Sequence, residues 1–475
     1  MSTGWIRKLR ASVAIASVAA ATPGLTAAAG AGGVRPNFLV FIADDQSHGD
    51  VGLDGTGAVR TPHLRALAGE GLRFTHAFVA SPSCGPSRTA FLTGLWPARN
   101  GAERNHQPRR AGIPGLIPQL QGLGYEVAAI GKVAHADWAK TYGFDFTGGV
   151  RRGFEDASEI ESFLRTRRTE RPLCLLVGTR HPHTPWGDSA GYDPAAIELP
   201  PTHVDTAETR TMRARYLADV TRADALLGRV RGLVSAHVPG ETVCVYTADN
   251  GGQWPFGKWN LYDAGIRVPL VIAWPGRIAT GASSTAMVCW PDLLPTLIEL
   301  AGGTVPAGLD GKSFAAVLRG AAADHRDRVF ATHSGDGDFN VYPMRSVRTR
   351  GWKYIRNLYP EFQHHSHISR AEGAEGIVYW RSWLAAARSD AGAAAIMRRA
   401  AERPAEELYD LNADPFETRN LAEDPRHAAV LAGLRRDLDE WMRSQEDQRT
   451  VFGVPLRRGE PVTPVVPAAA KKAGR

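Results

Sequence analysis

Asn37–Ala43 reads NFLVFIA and runs straight into Asp44-Asp45. After Asn37 the stretch is apolar at every position, not at alternate ones. A run this short and this uniformly apolar predicts a strand buried on both faces of a sheet, which is the signature of parallel pairing under helices. Three more runs share the form. Tyr125–Ile130 (YEVAAI) leads into Gly131-Lys132-Val133-Ala134-His135, Leu173–Gly178 (LCLLVG) into Thr179-Arg180-His181-Pro182-His183, and Thr242–Thr247 (TVCVYT) into Ala248-Asp249-Asn250-Gly251. Between them lie helical stretches at Thr61–Gly69, from Cys84 through Arg88–Thr93, and over Met212–Val234. The alternation predicts an α/β fold with a large, mostly parallel central sheet sandwiched by helices.

The pattern changes past Arg328. Short aromatic strands (Val341–Val347, Trp352–Arg356) and an amphipathic helix over Ala428–Arg443 predict a smaller C-terminal antiparallel-sheet subdomain. The expected division is a catalytic domain over 34–328, an α+β subdomain over 329–454 and a disordered tail over 455–475. Residues 1–33 carry Arg7, Lys8 and Arg10, then an apolar small-residue stretch and an A-x-A-like site near Leu25–Ala29. They read as a signal peptide that directs export to the periplasm or medium. The apolar stretch is short for the roughly 20 residues a membrane span needs, and no other stretch is a better candidate.

The formal net charge of +7 invites a polyanion-binding reading. Yet Arg7, Lys8 and Arg10 at one end and Lys471, Lys472 and Arg475 at the other account for six of those charges, with no acid beside them. The body is nearly neutral and lacks a basic run with interleaved aromatics, which argues against nucleic acid as a partner. Four cysteines in 475 residues make no disulfide framework. Cys174 and Cys244 lie within apolar runs and read as small buried hydrophobes.

Ligands of open parallel sheets bind beyond the carboxyl ends of the strands. Here those ends carry the chemistry. Asp44 and Asp45 after one strand, with Asp249 and Asn250 after another, are hard oxygen donors suited to Ca²⁺ or Mg²⁺ and poorly to Zn²⁺. Either pair taken singly can equally cap a helix or close an Asx turn. Lys132 and Lys258 follow glycines in loops, where a long basic side chain can reach an anion. His135 and His183 lie just past strand ends and read as a general acid and base, although a lone histidine is as readily a core or surface residue. His48, His106 and His181 have less to recommend them. Cys84 stands in Ser83-Cys84-Gly85-Pro86-Ser87-Arg88 at a helix start, where backbone N–H groups favour an anion and Arg88, one turn on, can fold back toward the sulfur.

Taken in order, IADDQ, CGPSR, GKVAH, RHPH and TADNG followed by GKWNLYDAGIRVPLVIAWPG resemble the sulfatase family of the alkaline-phosphatase superfamily. The likeness extends from about Asn37 to about Gln448. It implies that Cys84 is oxidised to formylglycine by a formylglycine-generating enzyme. It also implies that Asp44, Asp45, Asp249, Asn250 and the modified Cys84 hold Ca²⁺, that Arg88 and Lys132 support nucleophile and sulfate, and that His135, His183 and Lys258 complete the pocket. The implied reaction is hydrolysis of a sulfate ester or sulfamate of a sulfated saccharide or aryl sulfate. Asn105-His106-Gln107, Lys258–Tyr262 and Tyr342–Val347 are most similar to sulfamidase-like (heparan N-sulfatase) members. Two departures leave the substrate open. GKVAH has the lysine-to-histidine spacing of iduronate-2-sulfatase-like members, and His181 stands where the sulfamidase pattern has an acid. Arylsulfatase specificity, a phosphonate or phosphate ester hydrolase of the same superfamily, and a non-catalytic Ca²⁺-stabilised carbohydrate binder stay open beside it. From the C-terminal subdomain, His333, Arg345 and Arg348 are candidates to face a sugar or simply to be strand charges.

Overall fold

A computed structural model describes residues 35–53, 58–149, 157–371, 376–463 and 465. The expected signal peptide and residues 466–475 of the expected tail lie outside them. Twelve strands are described: β1 (Asn37–Ala43), β2 (Leu72–Phe78), β3 (Glu126–Gly131), β4 (Phe146–Gly148), β5 (Leu173–Gly178), β6 (Thr242–Ala248), β7 (Leu270–Ala273), β8 (Ala282–Cys289), β9 (Arg328–His333), β10 (Met344–Thr349), β11 (Trp352–Asn357) and β12 (Glu406–Asp410). The first eight form one sheet in the order β4-β3-β5-β1-β6-β7-β2-β8. All its pairings are parallel except the two made by β7, which runs against both β6 and β2. The sheet is therefore mostly parallel, as the uniformly apolar runs require.

β1 sits in the middle, every residue buried, between β5 and β6. Its register brings Ile42 opposite Gly178 and Ala43 opposite Ala248, so three loops leave the sheet at one height. The ladder continues into those loops: Thr179 N–H donates to Ile42 O (3.0 Å), Asp44 N–H to His181 O (3.1 Å) and Asp249 N–H to Ala43 O (3.2 Å). Lys132 N–H likewise donates to Gly178 O at 2.8 Å, tying the β3 loop to the same rim. Continued pairing of this kind leaves the loop backbone few ways to move.

Helix α1 (Cys84–Thr93) is buried along its whole length and stops at Gly94, whose φ of 67° is the left-handed cap that glycine adopts without strain. Helix α2 (Ala207–His237) begins at Thr206, whose hydroxyl accepts the Thr209 N–H. No helix among the described residues is long and apolar enough to cross a membrane.

The second sheet, β12-β11-β10-β9, is antiparallel throughout, and it begins at Arg328. Helix α3 (Ala428–Ser444) lays Leu431, Leu434, Leu438 and Met442, spaced at three and four residues, on Val347, Tyr354 and Leu408. A buried ionic knot joins this sheet to the larger one: Asp263 accepts from Arg348 (3.0 Å) and Lys353 (2.5 Å), and Lys353 also meets Glu417 at 2.9 Å. Arg345 is likewise buried, paired with Asp447. His333 is buried and bonded to Asn340 at 2.9 Å. None of these three faces open solvent, because each is needed to neutralise or satisfy a buried partner. The segment from 455 does not leave the body at once: Arg457 bridges Phe362 and Val465 bridges Ala371.

Candidate active site

The rim loops of β1 and β6, together with the start of α1, bring four ligand atoms to one place. One oxygen each from Asp44, Asp45 and Asp249 and the sulfur of Cys84 all lie within 4.8 Å of one another, and all four residues are buried. Asp45 takes a left-handed φ of 67°, a costly conformation for a non-glycine residue, and points its carboxylate inward. Its N–H donates to Asp249 Oδ1 at 3.0 Å, and Asn250 Nδ2 donates to Asp45 Oδ1 at 2.8 Å. The other end of the Asn250 amide, Oδ1, is buried without a hydrogen-bond partner among the described residues. A buried acceptor left bare costs about 1–3 kcal/mol unless something fills it. Three clustered carboxylates beside Cys84, next to an amide oxygen that nothing satisfies, are a hard-donor set, so these residues fit a hard divalent cation.

Cations hold the acids from the other side. Arg88, wholly buried, gives Nε to Asp249 Oδ2 (2.8 Å) and Nη2 to Asp44 Oδ1 (3.2 Å). Its Nη1 also donates to Lys132 O. Lys132 Nζ reaches Asp44 at 2.6 Å and Cys84 Sγ at 3.5 Å, and Lys258 Nζ reaches Asp45 Oδ2 at 2.7 Å. Three buried acids thus face three cations, with Lys132 and His183 partly exposed at the mouth of the site. His183 Nδ1 lies 2.5 Å from Thr184 O and so carries its proton there, which leaves Nε2 directed at Asp45 Oδ2, 3.6 Å away.

The ionisation of these groups follows from their neighbours. Burial pushes Asp44 up, but Lys132, His183, Arg88 and Lys258 outweigh it and hold this acid well below the carboxylate range. Asp249, buried and facing Asp44 and Asp45, is pushed up to about 6 in spite of Arg88. Burial, then Asp249, lifts the Cys84 thiol well above its ordinary range, with Lys132 opposing. As a thiol, Cys84 stays protonated and a poor nucleophile. Burial and Lys258 pull His183 down to about 4 against Asp45 and Asp44.

Nine of the ten residues singled out from the sequence meet here through direct contacts: Asp44, Asp45, Cys84, Arg88, Lys132, His183, Asp249, Asn250 and Lys258. His135 stands one step back. It is 8% exposed and its Nε2 bonds His106 Nδ1 at 2.8 Å. His181 turns away to Asp219 at 3.2 Å. Sequence reasoning missed a second buried centre. Asp336, from the loop after β9, accepts from Trp259 Nε1 (2.7 Å) and Asn105 Nδ2 (3.0 Å), and His106 Nε2 lies 3.4 Å from its other oxygen. Asn105 Oδ1 in turn accepts the Gly85 N–H beside Cys84 at 2.9 Å. The only signal for this centre was the Asn105-His106-Gln107 triplet. Gly335-Asp336-Gly337 reads as an ordinary turn.

A parallel sheet whose carboxyl rim gathers hard oxygen ligands and fixed cations around a buried cysteine at a helix start has the make-up of a hydrolase of oxyanion esters. Comparison with known proteins makes the class specific. Residues 36–303 match the family model described as Sulfatase, and residues 251–369 match that described as N-sulphoglucosamine sulphohydrolase, C-terminal. The chain belongs to the sulfatase family, whose members hydrolyse sulfate esters and N-sulfates. It is similar to an ulvan-active sulfatase of Formosa agariphila, 30% identical over 89% of this chain and 83% of the relative. It is also similar to human N-sulphoglucosamine sulphohydrolase, 30% identical over 87% of this chain and 91% of the relative. Among solved structures, a 2-O GAG sulfatase superposes with a TM-score of 0.67 at 21% identity, covering 90% of this chain and 99% of that one, which is a likeness of fold.

Proposed function

We propose that this sulfatase removes sulfate from a sulfated amino sugar of the N-sulfoglucosamine type, with Cys84 oxidised to formylglycine and Ca²⁺ held by Asp44, Asp45, Asp249 and Asn250. The observation that carries the reading is the 4.8 Å cluster of carboxylates on Cys84, ringed by Arg88, Lys132 and Lys258. The match of 251–369 to the N-sulphoglucosamine sulphohydrolase C-terminal model, together with the human relative, supports the substrate class. Export, on the Arg7–Ala29 pattern, and maturation by a formylglycine-generating enzyme belong to the same reading.

Ca²⁺ would supply Lewis-acid polarisation of sulfate oxygens. The hydrated aldehyde would supply one hydroxyl for attack on sulfur and a second through which sulfate departs. The chain's own residues do the rest. Lys132 and Lys258 balance charge on the sulfate oxygens, and Arg88 keeps Asp44 and Asp249 in place. His183, with Nδ1 tied to Thr184 O, has only Nε2 with which to hold a proton for the leaving nitrogen or oxygen. His135 takes the proton of the remaining hydroxyl.

Two measurements test this on the purified protein. Mass spectrometry of the Cys84 peptide should show the fixed loss that turns a thiol into an aldehyde. With Ca²⁺ present, N-sulfoglucosamine should turn over faster than aryl sulfate and far faster than an aryl phosphonate. A reduced Cys84 in protein matured beside its generating enzyme, or a preference for phosphonate, would overturn the reading.

A further inference from the structure

The Asp336 centre is not a separate structural knot, because it touches both moving parts of the reaction. Asp336 is 2% exposed and is bound on every side: Trp259 Nε1, Asn105 Nδ2 and His106 Nε2 reach its carboxylate, and its own N–H donates to Asn340 O at 2.7 Å. His367 Nδ1 stands 3.9 Å off, stacked between Trp259 and Phe339. Burial alone would neutralise such an acid, but His106, His367 and Trp259 keep it ionised, well below the carboxylate range. An ionised carboxylate can only accept.

That fixes the protons along a chain. His106 Nε2 stands 3.4 Å from Asp336 Oδ1 and 3.5 Å from Asn105 Nδ2. The amide already donates to Asp336 Oδ2 at 3.0 Å, which leaves the carboxylate oxygen as the acceptor for Nε2–H, and a neutral His106 of that tautomer offers a lone pair at Nδ1. His135 Nε2, 2.8 Å away, must then carry a hydrogen and donate it. The remaining nitrogen of His135, Nδ1, is left as a lone pair, and it is buried with no hydrogen-bond partner among the described residues. The groups facing His135 are Lys132, Arg88, His106 and, beyond it, Asp336; burial, then Lys132 and His106, keep the ring neutral. His106 itself is 62% exposed at the side chain and sits at a left-handed φ of 58°, strain that persists only where contacts dictate it. The second arm of Asp336 runs through Asn105, whose amide bridges the carboxylate and the Gly85 N–H at the start of α1.

We propose that Asp336 is a positioning residue for catalysis: through His106 it sets His135 as the Nε2-protonated tautomer with Nδ1 as proton acceptor, and through Asn105 it fixes the turn that carries Cys84. This rests on the reading of His135 as the base. Partners that orient a metal-ligating imidazole are worth about 10- to 100-fold when removed, and a loss on that scale is expected for this chain of contacts.

The test uses the full-length matured protein and three variants. Ring ¹⁵N–¹H correlation spectra should show His135 protonated at Nε2 and bare at Nδ1 in the parent. That pattern should be lost in His106→Ala, which alters an exposed side chain, and reversed in Asp336→Asn, whose amide offers His106 a donor. On a small aryl sulfate, kcat should fall about 10- to 100-fold in both variants with KM little changed. His106→Gln, which keeps one acceptor and one donor, should restore much of the loss. An Nδ1-protonated His135 in the parent overturns the proposal, as does a lost pattern with kcat unchanged. A rise in KM confined to saccharide substrates overturns it too, since His106 would then be a sugar contact. Absence of any sulfatase activity would instead refute the site's reading, and the spectra, which need no turnover, tell the two failures apart.

Discussion

Replacing Arg88 by Met removes a cation of nearly the same length from a place water does not reach. Asp44 keeps Lys132 at 2.6 Å, but Asp249 loses its only ion-pair partner among the described residues and retains just the Asp45 N–H. Breaking a buried pair from one side costs about 3–5 kcal/mol, since the surviving charge is left without compensation. Asp249 has one escape, which is to bind a proton. Its folded pKa, already pushed up to about 6, rises further without Arg88. A carboxyl whose folded pKa lies above the unfolded value binds more protons when folded, so stability falls as pH rises through that range. The Arg88→Met deficit should therefore be largest near pH 8 and shrink toward pH 5. Adding Asp249→Asn removes the stranded charge, so the double variant should recover about 1–3 kcal/mol relative to the sum of the two single changes. The assay is urea unfolding in EDTA, followed by far-UV circular dichroism at both pH values. A single variant within about 1 kcal/mol of the parent, or a deficit indifferent to Asp249, would refute the charge accounting.

Two further outcomes are expected. A Cβ on Gly251 would lie 1.8 Å from Ala264 O, so Gly251→Ala must displace the loop carrying Asp249 and Asn250. Activity should fall by about 100-fold or more, whereas Gly69→Ala, with nothing within 4 Å, should leave both activity and stability essentially intact. Burial holds His333 and His365 down at about 4. Their folded values lie below the unfolded one of about 6.5, so their contribution is full above pH 6.5 and drains away as pH falls toward 4. His333→Gln should cut the slope of unfolding free energy against pH near pH 5 by about 1.4 kcal/mol per unit; an unchanged slope would show that His333 is already charged in the fold.

Much of this was legible because the information was local. The four apolar runs match β1, β3, β5 and β6 to within a residue or two, since a strand buried on both faces needs no partner to be recognised. The polar residues at their ends were found because sheet topology dictates where such ends converge. β2, β7 and β8 escaped notice: LRFTHAF and ASSTAMVC mix polar with apolar positions, and LVIA is too short to stand out. The Asp336 centre was illegible for another reason. It joins residues from the loop after α1 to a turn more than two hundred positions later, and no spacing rule links Asn105 to Asp336. In the sequence, Arg345 and Arg348 read either as groups that face a sugar or as plain strand charges. Their burial against Asp447 and Asp263 is a tertiary fact that alternation along a strand cannot reveal.

The shared height at which the loops after β1, β5 and β6 leave the sheet has a consequence for how such a chain can change length. One residue added inside β1, between Phe38 and Ala43, would rotate every later side chain of that strand to the opposite face and lift Asp44 out of step with Asp249. Growth or loss is harmless only where it is absorbed before a strand begins or well beyond the last ladder bond. Lineages that lengthen or shorten should therefore do so at the amino-terminal margin of the sheet and in outlying turns, while the distance from strand start to rim stays constant.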